Sequence, residues 1–289
     1  PLLIESLMSG VEISFTMLVD RNGSFQILPT AMEYPERFEG PAGKNNPSTG
    51  GMGAVSPHPL ETPELIEMAG NLIARPLIQA MKERNILRPC VLYPGCFVSL
   101  DNDMRPTMIR VSEINIRPGE PEAQPVIRRL RNLGILIQAA LKGNLNEVAP
   151  EVRTDQLAMC SALVTGAGGP DGQKGYPWSC TRGEPVEIDY KYMKRKGIQV
   201  IPSAMMCSPD GGGFKSDGTR VAFLNVNMTI KPDESRGAAA DRSRIKLLAA
   251  FDNGKIRVIP RENADGNRLD LRRDIGFHFG EAERIFPKD

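Results

Sequence analysis

Histidine is scarce in this 289-residue chain, with only His58 and His278 present, and they offer no Ser-His-Asp arrangement for nucleophilic catalysis. The five cysteines, Cys90, Cys96, Cys160, Cys180 and Cys207, are odd in number and scattered. They lack the close spacing of a zinc site or a disulfide framework, so reduced thiols are expected. No apolar run reaches the roughly eighteen residues that a membrane span needs, and no basic region leads into an apolar stretch with a cleavage site. A cytoplasmic protein with no membrane partner is therefore expected. Charge of one sign is lacking as well: 36 Lys and Arg face 35 Asp and Glu, a net charge of +1, which gives nucleic acid or an anionic surface nothing to attract. Small molecules or protein are the expected partners. What is present, 40% apolar and 25% charged residues, suits a globular chain long enough for two ordinary domains. Residue 1 is Pro, and Leu2 to Ile4 read as the end of a buried strand. The expectation is a chain that begins inside a fold, as a fragment or as one product of a split gene.

Val11 to Val19 is β-branched and apolar enough for one strand, and the turn at Asp20 to Ser24, with Asn22-Gly23 inside it, predicts a hairpin with Phe25 to Leu28. Glu36 to Gly53, rich in Gly, Pro and Asn, is too long for a simple connection and reads as a binding loop. Thr62 and Pro63 form a helix start, followed by Leu65, Met68, Leu72, Ile73, Leu77, Ile78 and Met81 at helical spacing on a core-facing side. Cys90 to Leu100 and Met108 to Ile116 read as strands separated by a polar turn. Glu122 to Leu141 reads as helix broken near Gly134, with Arg128, Arg129 and Arg131 on a solvated face. The polar stretch Asn144 to Glu151 marks a predicted boundary between a unit 1–150 and a unit 151–289. The second unit is expected to hold strands at Leu157 to Val164 and Arg220 to Asn227, a helix around Asp233 to Phe251, and Gly-rich turns at Gly166 to Gly175 and Gly211 to Gly213.

Three features carry chemistry. Strand alternation puts Glu113, Asn115 and Arg117 on one face, successive members about 6.5 Å apart. A carboxylate and an amide oxygen so placed suit a hard divalent cation, and the guanidinium beyond suits a phosphate or carboxylate; the wet face of an edge strand explains the pattern equally well. Ser48-Thr49-Gly50-Gly51-Met52-Gly53 offers clustered backbone amides on a chain that reaches positive φ, fit for an anion or zwitterion, or simply a tight turn. Glu5 and Glu12 bracket Ser9-Gly10, whose turn brings two acidic groups toward one edge.

Taken in order, these pieces resemble the glycinamide ribonucleotide synthetase family of ATP-grasp enzymes. Ile4 to Ser14 is similar to the family stretch Glu-Glu-Phe-Leu-x-Gly-x-Glu-x-Ser, with Ser6 in place of a glutamate. Thr49 to Pro57 resembles Asn-Thr-Gly-Gly-Met-Gly-Ala-Tyr-Ser-Pro, with Ser48 where the family has Asn, and Glu113 to Gln124 resembles Glu-Phe-Asn-x-Arg-Phe-Gly-Asp-Pro-Glu-Thr-Gln. Arg272 to Gly276 matches a C-terminal Arg-Arg-Asp-Ile-Gly, whereas Glu33 to Arg37 follows the family's Gln-Asp-His-Lys-Arg only loosely.

The resemblance implies an α+β fold: the larger, antiparallel-rich part of an ATP-grasp domain with its helices over 1–150, then a smaller mixed α/β C-terminal domain over 151–289. It implies ATP-driven condensation of glycine with 5-phosphoribosylamine, in purine biosynthesis. Nucleotide would lie against Glu5, Leu7 and Glu12, substrate against Glu33, Thr49, Gly50, Gly51, Met52 and Gly53, and Mg²⁺ or Mn²⁺ on Glu113 and Asn115, with Arg117 steadying the transferred phosphoryl group. An N-terminal part of the enzyme, including the lysines that grip the phosphates, is expected elsewhere in the polypeptide or on a separate chain. Another ATP-grasp carboxylate–amine ligase and a non-catalytic subunit are the alternatives.

Overall fold

The computed structural model describes residues 2, 4, 6–165, 175–180, 182–208, 211–258, 269–277 and 279. His278, Glu5 and the glycine turn predicted from Gly166, apart from Gly175, lie outside the described residues. The strands are β1 (Val11–Ser14), β2 (Met17–Val19), β3 (Phe25–Ile27), β4 (Met32–Glu36), β5 (Ser48–Ser56), β6 (Cys90–Leu100), β7 (Pro106–Asn115), β8 (Gln156–Thr165), β9 (Arg182–Ile188), β10 (Ile198–Pro202), β11 (Met205–Cys207), β12 (Phe214–Asp217), β13 (Arg220–Thr229), β14 (Ile256–Val258) and β15 (Leu269–Asp270). The helices are α1 (Pro63–Ala69), α2 (Arg75–Glu83), α3 (Ala123–Arg128), α4 (Leu133–Lys142), α5 (Tyr190–Arg195) and α6 (Arg236–Asp252). All strand pairings among the described residues are antiparallel, in an α+β arrangement of three sheets.

The first sheet is built on the long strand β6, which pairs with β1, β2 and β7, while β3 extends it from β2. The strand expected from Val11 to Val19 is interrupted at Phe15 and Thr16, where the Phe15 amide donates to Pro94 O. Pro94 cannot donate in return, so the ladder breaks beside it. Asp20 organises the predicted hairpin, its Oδ1 accepting from the amides of Asn22 and Ser24 at 2.8 and 2.9 Å. One face of the sheet is apolar: Ile13, Cys96, Val98, Ile109 and Val111 pack on Leu65, Ala69, Ile73, Ile78 and Met81 of the helical run. That run starts as predicted, with Thr62 Oγ1 accepting from Leu65 N at 3.2 Å, and passes through a π turn at Gly70–Ala74 between α1 and α2. The extra residue in that turn shifts the phase, which leaves Leu72 exposed rather than in the core.

The second sheet runs β10-β13-β8-β5-β4, with β15 on the end of β8. It takes β4 and β5 from before residue 150 and β8, β10 and β13 from after it. Both of its faces are covered. Tyr34, Val55, Met159, Leu224 and Val226 meet α6 and the third sheet, β11-β12-β9-β14, on one side. Met52, Cys160, Ala162, Val164, Tyr176 and Phe223 cluster on the other, beside the layer of α3 and α4.

Three further expectations need correction. Leu2 and Ile4 do not end a buried strand; they are exposed, and no strand among the described residues includes them. Glycine-rich Ser48 to Gly53 is the start of β5 rather than part of a loop, because its apolar neighbours have a sheet to join, and the loop shrinks to residues 37–47. Asn46 closes that loop by donating from Nδ2 to the carbonyls of Phe38, Glu39, Gly40 and Pro41. Arg129 is not solvated. It is 2% exposed and donates to Ser56 Oγ and Gln156 O, with Glu61 at 3.6 Å, because the chain between α3 and α4 turns it inward against β5 and β8.

Candidate active site

The site lies on the open face of the first sheet, opposite its helices. Register places Ser14, Gly95 and Glu113 in one cross-strand row and Glu12, Phe97 and Arg110 in the next, while Asn115 lies opposite Tyr93. Strict alternation from half-buried Val111, which packs on the helices, would turn Glu113 toward the core. A bulge prevents this: Val111 pairs with Cys96 and Glu113 with Gly95, so Ser112 is an extra residue that resets the phase. Ser112 Oγ donates to Gly95 O at 2.9 Å and holds the bulge. Glu113 and Asn115 consequently share the open face, with Asn115 Nδ2 donating to Glu113 Oε1 at 2.8 Å.

Arg117 is not part of this strand, which ends at Asn115. It is exposed beyond the end, its Nη1 donating to the neighbouring Pro118 O at 3.0 Å. Ser14 bridges to Ala31, which brings β4 up to β1, and Glu12, Ile13, Ser14, Ala31 and Glu33 line a small cleft between them. Glu12 stands at the exposed rim of that cleft. The packing around its carboxyl and the negative charges of Glu36, Glu122 and Glu113 hold it above its ordinary value. Gly10 is required just before it, because a Cβ there would meet Val98 O at 2.5 Å. Leu7 is 95% exposed, which leaves its backbone open to a ligand.

The glycine-rich start of β5 forms the adjoining wall. Tyr34 pairs with Gly53 and Glu36 with Ser48, so residues 49 to 52 arch away from β4. Thr49 Oγ1 donates to Pro35 O at 2.8 Å and accepts from Gly51 N at 3.1 Å; Gly50 N donates to the Tyr176 hydroxyl at 2.9 Å. Gly51 has φ +98°, and a Cβ there would lie 2.3 Å from Pro121 and 2.7 Å from Glu33 Oε1. Met52 sends its side chain into the core, so only its backbone faces the arch. Gly53 is pressed against Ile275 and Cys160 O, which is a packing role.

Several site residues went unassigned in the sequence. Arg220 of β13 donates to Gly50 O and reaches Glu120 Oε2 at 3.3 Å. Glu122 is 3% exposed, and its Oε1 accepts from the Tyr93 hydroxyl. Nothing in local spacing marks Arg220 or Tyr93, whereas Glu122 stood inside the quoted Glu-Pro-Glu run. The C-terminal motif also serves the site from behind. Arg272 binds Asp274 at 2.6 Å and Glu36 at 3.1 Å, and Gly276 N donates to the Tyr34 hydroxyl at 3.0 Å. His58, buried beneath, is held down to about pKa 4 by burial.

Glu113 and Asn115 supply the oxygen donors that Mg²⁺ or Mn²⁺ prefers, so the pair fits a hard cation. Among the described residues no group of three or more His, Cys, Asp or Glu side chains could hold a metal by itself. Phosphate oxygens and water would have to complete the coordination. Among the described residues no helix is long and apolar enough to cross a membrane.

Residues 1–123 match the family described as phosphoribosylglycinamide synthetase, ATP-grasp (A) domain. The phosphoribosylamine–glycine ligase of Mesorhizobium japonicum is 29% identical over 98% of this chain, which spans 57% of that protein's length. The ligase of the same name from Neisseria meningitidis serogroup A is 38% identical over 52% of the chain and 33% of its own length. The crystal structure of phosphoribosylamine–glycine ligase from Thermotoga maritima superposes with a TM-score of 0.68 at 20% identity, over 94% of this chain and 57% of that one, and shows the same fold. Residues 1–123 thus match the ATP-grasp (A) domain of the phosphoribosylglycinamide synthetase family, and the chain shares its fold with the Thermotoga maritima protein.

Proposed function

We propose that this chain carries the metal- and substrate-facing portion of a cytoplasmic ligase that joins glycine to 5-phosphoribosylamine at the expense of ATP, giving glycinamide ribonucleotide, ADP and phosphate. The observation that carries the reading is the pairing of Glu113 with Asn115 on the one sheet face that also bears Glu12, beside the arch of residues 49 to 52. In this reading the γ-phosphoryl group passes to the glycine carboxylate, and the sugar amine displaces phosphate from the resulting glycyl phosphate. Chemistry of this kind depends on positioning and charge neutralisation rather than on a protein nucleophile.

Each residue then has a task. Glu113 and Asn115 would hold Mg²⁺ or Mn²⁺, which when bound neutralises phosphate charge. Glu12 takes the ribose hydroxyls, and the backbone near Glu5 and Leu7 takes the adenine. Thr49 to Gly53 and Glu33 line the substrate side, and Arg117, free at the strand end, swings onto the transferred group. The division into 1–150 and 151–289 is part of this proposal and divides the chain rather than the sheets, since β5 pairs with β8. We also place the grip on the ATP phosphates in a further portion of the ligase, on the same polypeptide or a separate one.

The test is glycine-dependent ADP formation with phosphoribosylamine generated in situ, using this chain together with that further portion. Glu113→Ala is expected to lower turnover by about two orders of magnitude or more, the scale of losing one preorganised charge-stabilising group. Normal turnover of Glu113→Ala at saturating Mg²⁺, or ADP formation indifferent to glycine, would overturn the reading.

A further inference from the structure

Glu33 and Glu122 meet across the junction of β4 with the turn that enters α3. Glu33 pairs with Ala54, which pairs with Cys160, which pairs with Asn225, so the four share the sheet face beneath α3. Glu33 Oε1 lies against the same point beside Gly51 as Pro121 and the Glu120 carbonyl, 2.7 Å from where a Cβ would stand, which brings its carboxyl to the turn that carries Glu122. The Oε1 atom of Glu122 already accepts from Tyr93, whereas its Oε2 is fully buried and has no donor. The groups that face the pair do not neutralise it. Glu12 from β1 and Glu120 from the turn are acidic and Tyr93 from β6 is a neutral hydroxyl; Arg220 from β13, engaged by Gly50 O and Glu120, favours ionised Glu33, but less than burial and Glu122 oppose it. Two ionised carboxylates in contact without a cation would repel at close range and leave Oε2 of Glu122 unsatisfied.

We propose that Glu33 stands against Glu122 as a carboxylic acid, donates to Glu122 Oε2 and thereby positions Glu122 and the Tyr93 hydroxyl at the back of the site. Burial first, then the charge and hydrogen bond of Glu122, move the Glu33 carboxyl in the same direction, well above the ordinary carboxylate range. The family stretch that Glu33 to Arg37 loosely follows has glutamine at the position of Glu33, and a glutamine amide would make the same hydrogen bond with no proton to lose. Glu33 therefore makes the junction sensitive to pH where an amide would not. The proposal does not depend on the ligase reading, and its readouts involve no turnover.

The pH dependence has a definite sign. The folded chain keeps a proton that the unfolded chain releases near 4.5, so stability from Glu33 is full below that pH and is lost as pH rises toward about 9. His58 acts oppositely on the acid side, losing its contribution as pH falls from 6.5 toward about 4, and it does so equally in wild type and in a Glu33 variant.

The experiment compares melting temperature from pH 5 to pH 9, and the infrared carboxylic-acid C=O band at pH 7, for the 289-residue chain and its Glu33→Gln and Glu33→Ala variants. The wild-type melting temperature should fall relative to Glu33→Gln as pH rises, and the infrared band should disappear in Glu33→Gln. Glu33→Ala, which leaves Oε2 of Glu122 without a donor, should melt below Glu33→Gln at every pH. Parallel melting curves for wild type and Glu33→Gln, or an unchanged infrared band, would overturn the proposal. Should Glu33→Gln fail to fold, Glu122→Gln makes the same comparison, because its amide can donate to an ionised Glu33.

Discussion

Strands β7 and β13 are each ten residues long, yet they end in opposite conditions. β13 lies inside the second sheet between β8 and β10 and buries six consecutive residues, Val221 to Val226, because helices or another sheet cover both of its faces. β7 pairs only with β6 among the described residues and buries none of its residues fully. The difference teaches where stability and chemistry reside. A strand covered on both faces can carry apolar residues in unbroken succession, and Val-Ala-Phe-Leu does so in β13. One covered on a single face can keep polar groups in contact with water, as β7 does with Glu113 and Asn115.

The contrast can be broken from either side. Phe223→Ala, which empties a fully buried ring position in β13, should cost about 3–5 kcal/mol in denaturant unfolding. A cost under about 1 kcal/mol would mean that the second sheet is not the stable body described here. Inserting one alanine between Gly95 and Cys96, which gives Ser112 a partner on β6, attacks the other strand. Without the bulge, Glu113 would follow Val111 toward the apolar helices, and binding of Mg²⁺-nucleotide should be lost. Overall stability should fall by about 1–3 kcal/mol, the usual range for burying a polar group or straining a well-packed core. Retained metal-nucleotide affinity in that insertion variant would show that the bulge does not aim the pair. The smallest effect is expected at the start of α1. There Thr62→Ala removes the N-cap and should cost about 1 kcal/mol, measured by thermal or denaturant melting, while leaving ligand affinity unchanged.

Much of this was legible in the residues. Thr62-Pro63, Asn22-Gly23 and the apolar runs at Cys90, Leu157 and Arg220 each announced an element that formed, since caps, turns and unbroken β-branched runs act over a few residues. Glycines 50, 51 and 53 misled, because a glycine-rich stretch reads as a turn unless something packs on it. Here Ile275, Pro121 and Tyr176, all distant in sequence, press against this stretch. Arg129 misled for the same reason: its partners, Glu61, Ser56 and Gln156, come from three separate segments.

By itself the sequence determined which residue types were available for the chemistry, the carboxylate and amide at Glu113 and Asn115 and the glycines at 50, 51 and 53, and it determined the starts of β1, β3, β6, β8, β13 and α1, because propensity and capping are local. The tertiary structure alone decided that a bulge at Ser112 turns Glu113 and Asn115 to the open face. It also decided that Arg220 clasps the glycine arch, and that Glu33 meets Glu122 at the back of the site. Those outcomes depend on the register and packing of segments up to 170 residues apart, which no local pattern encodes.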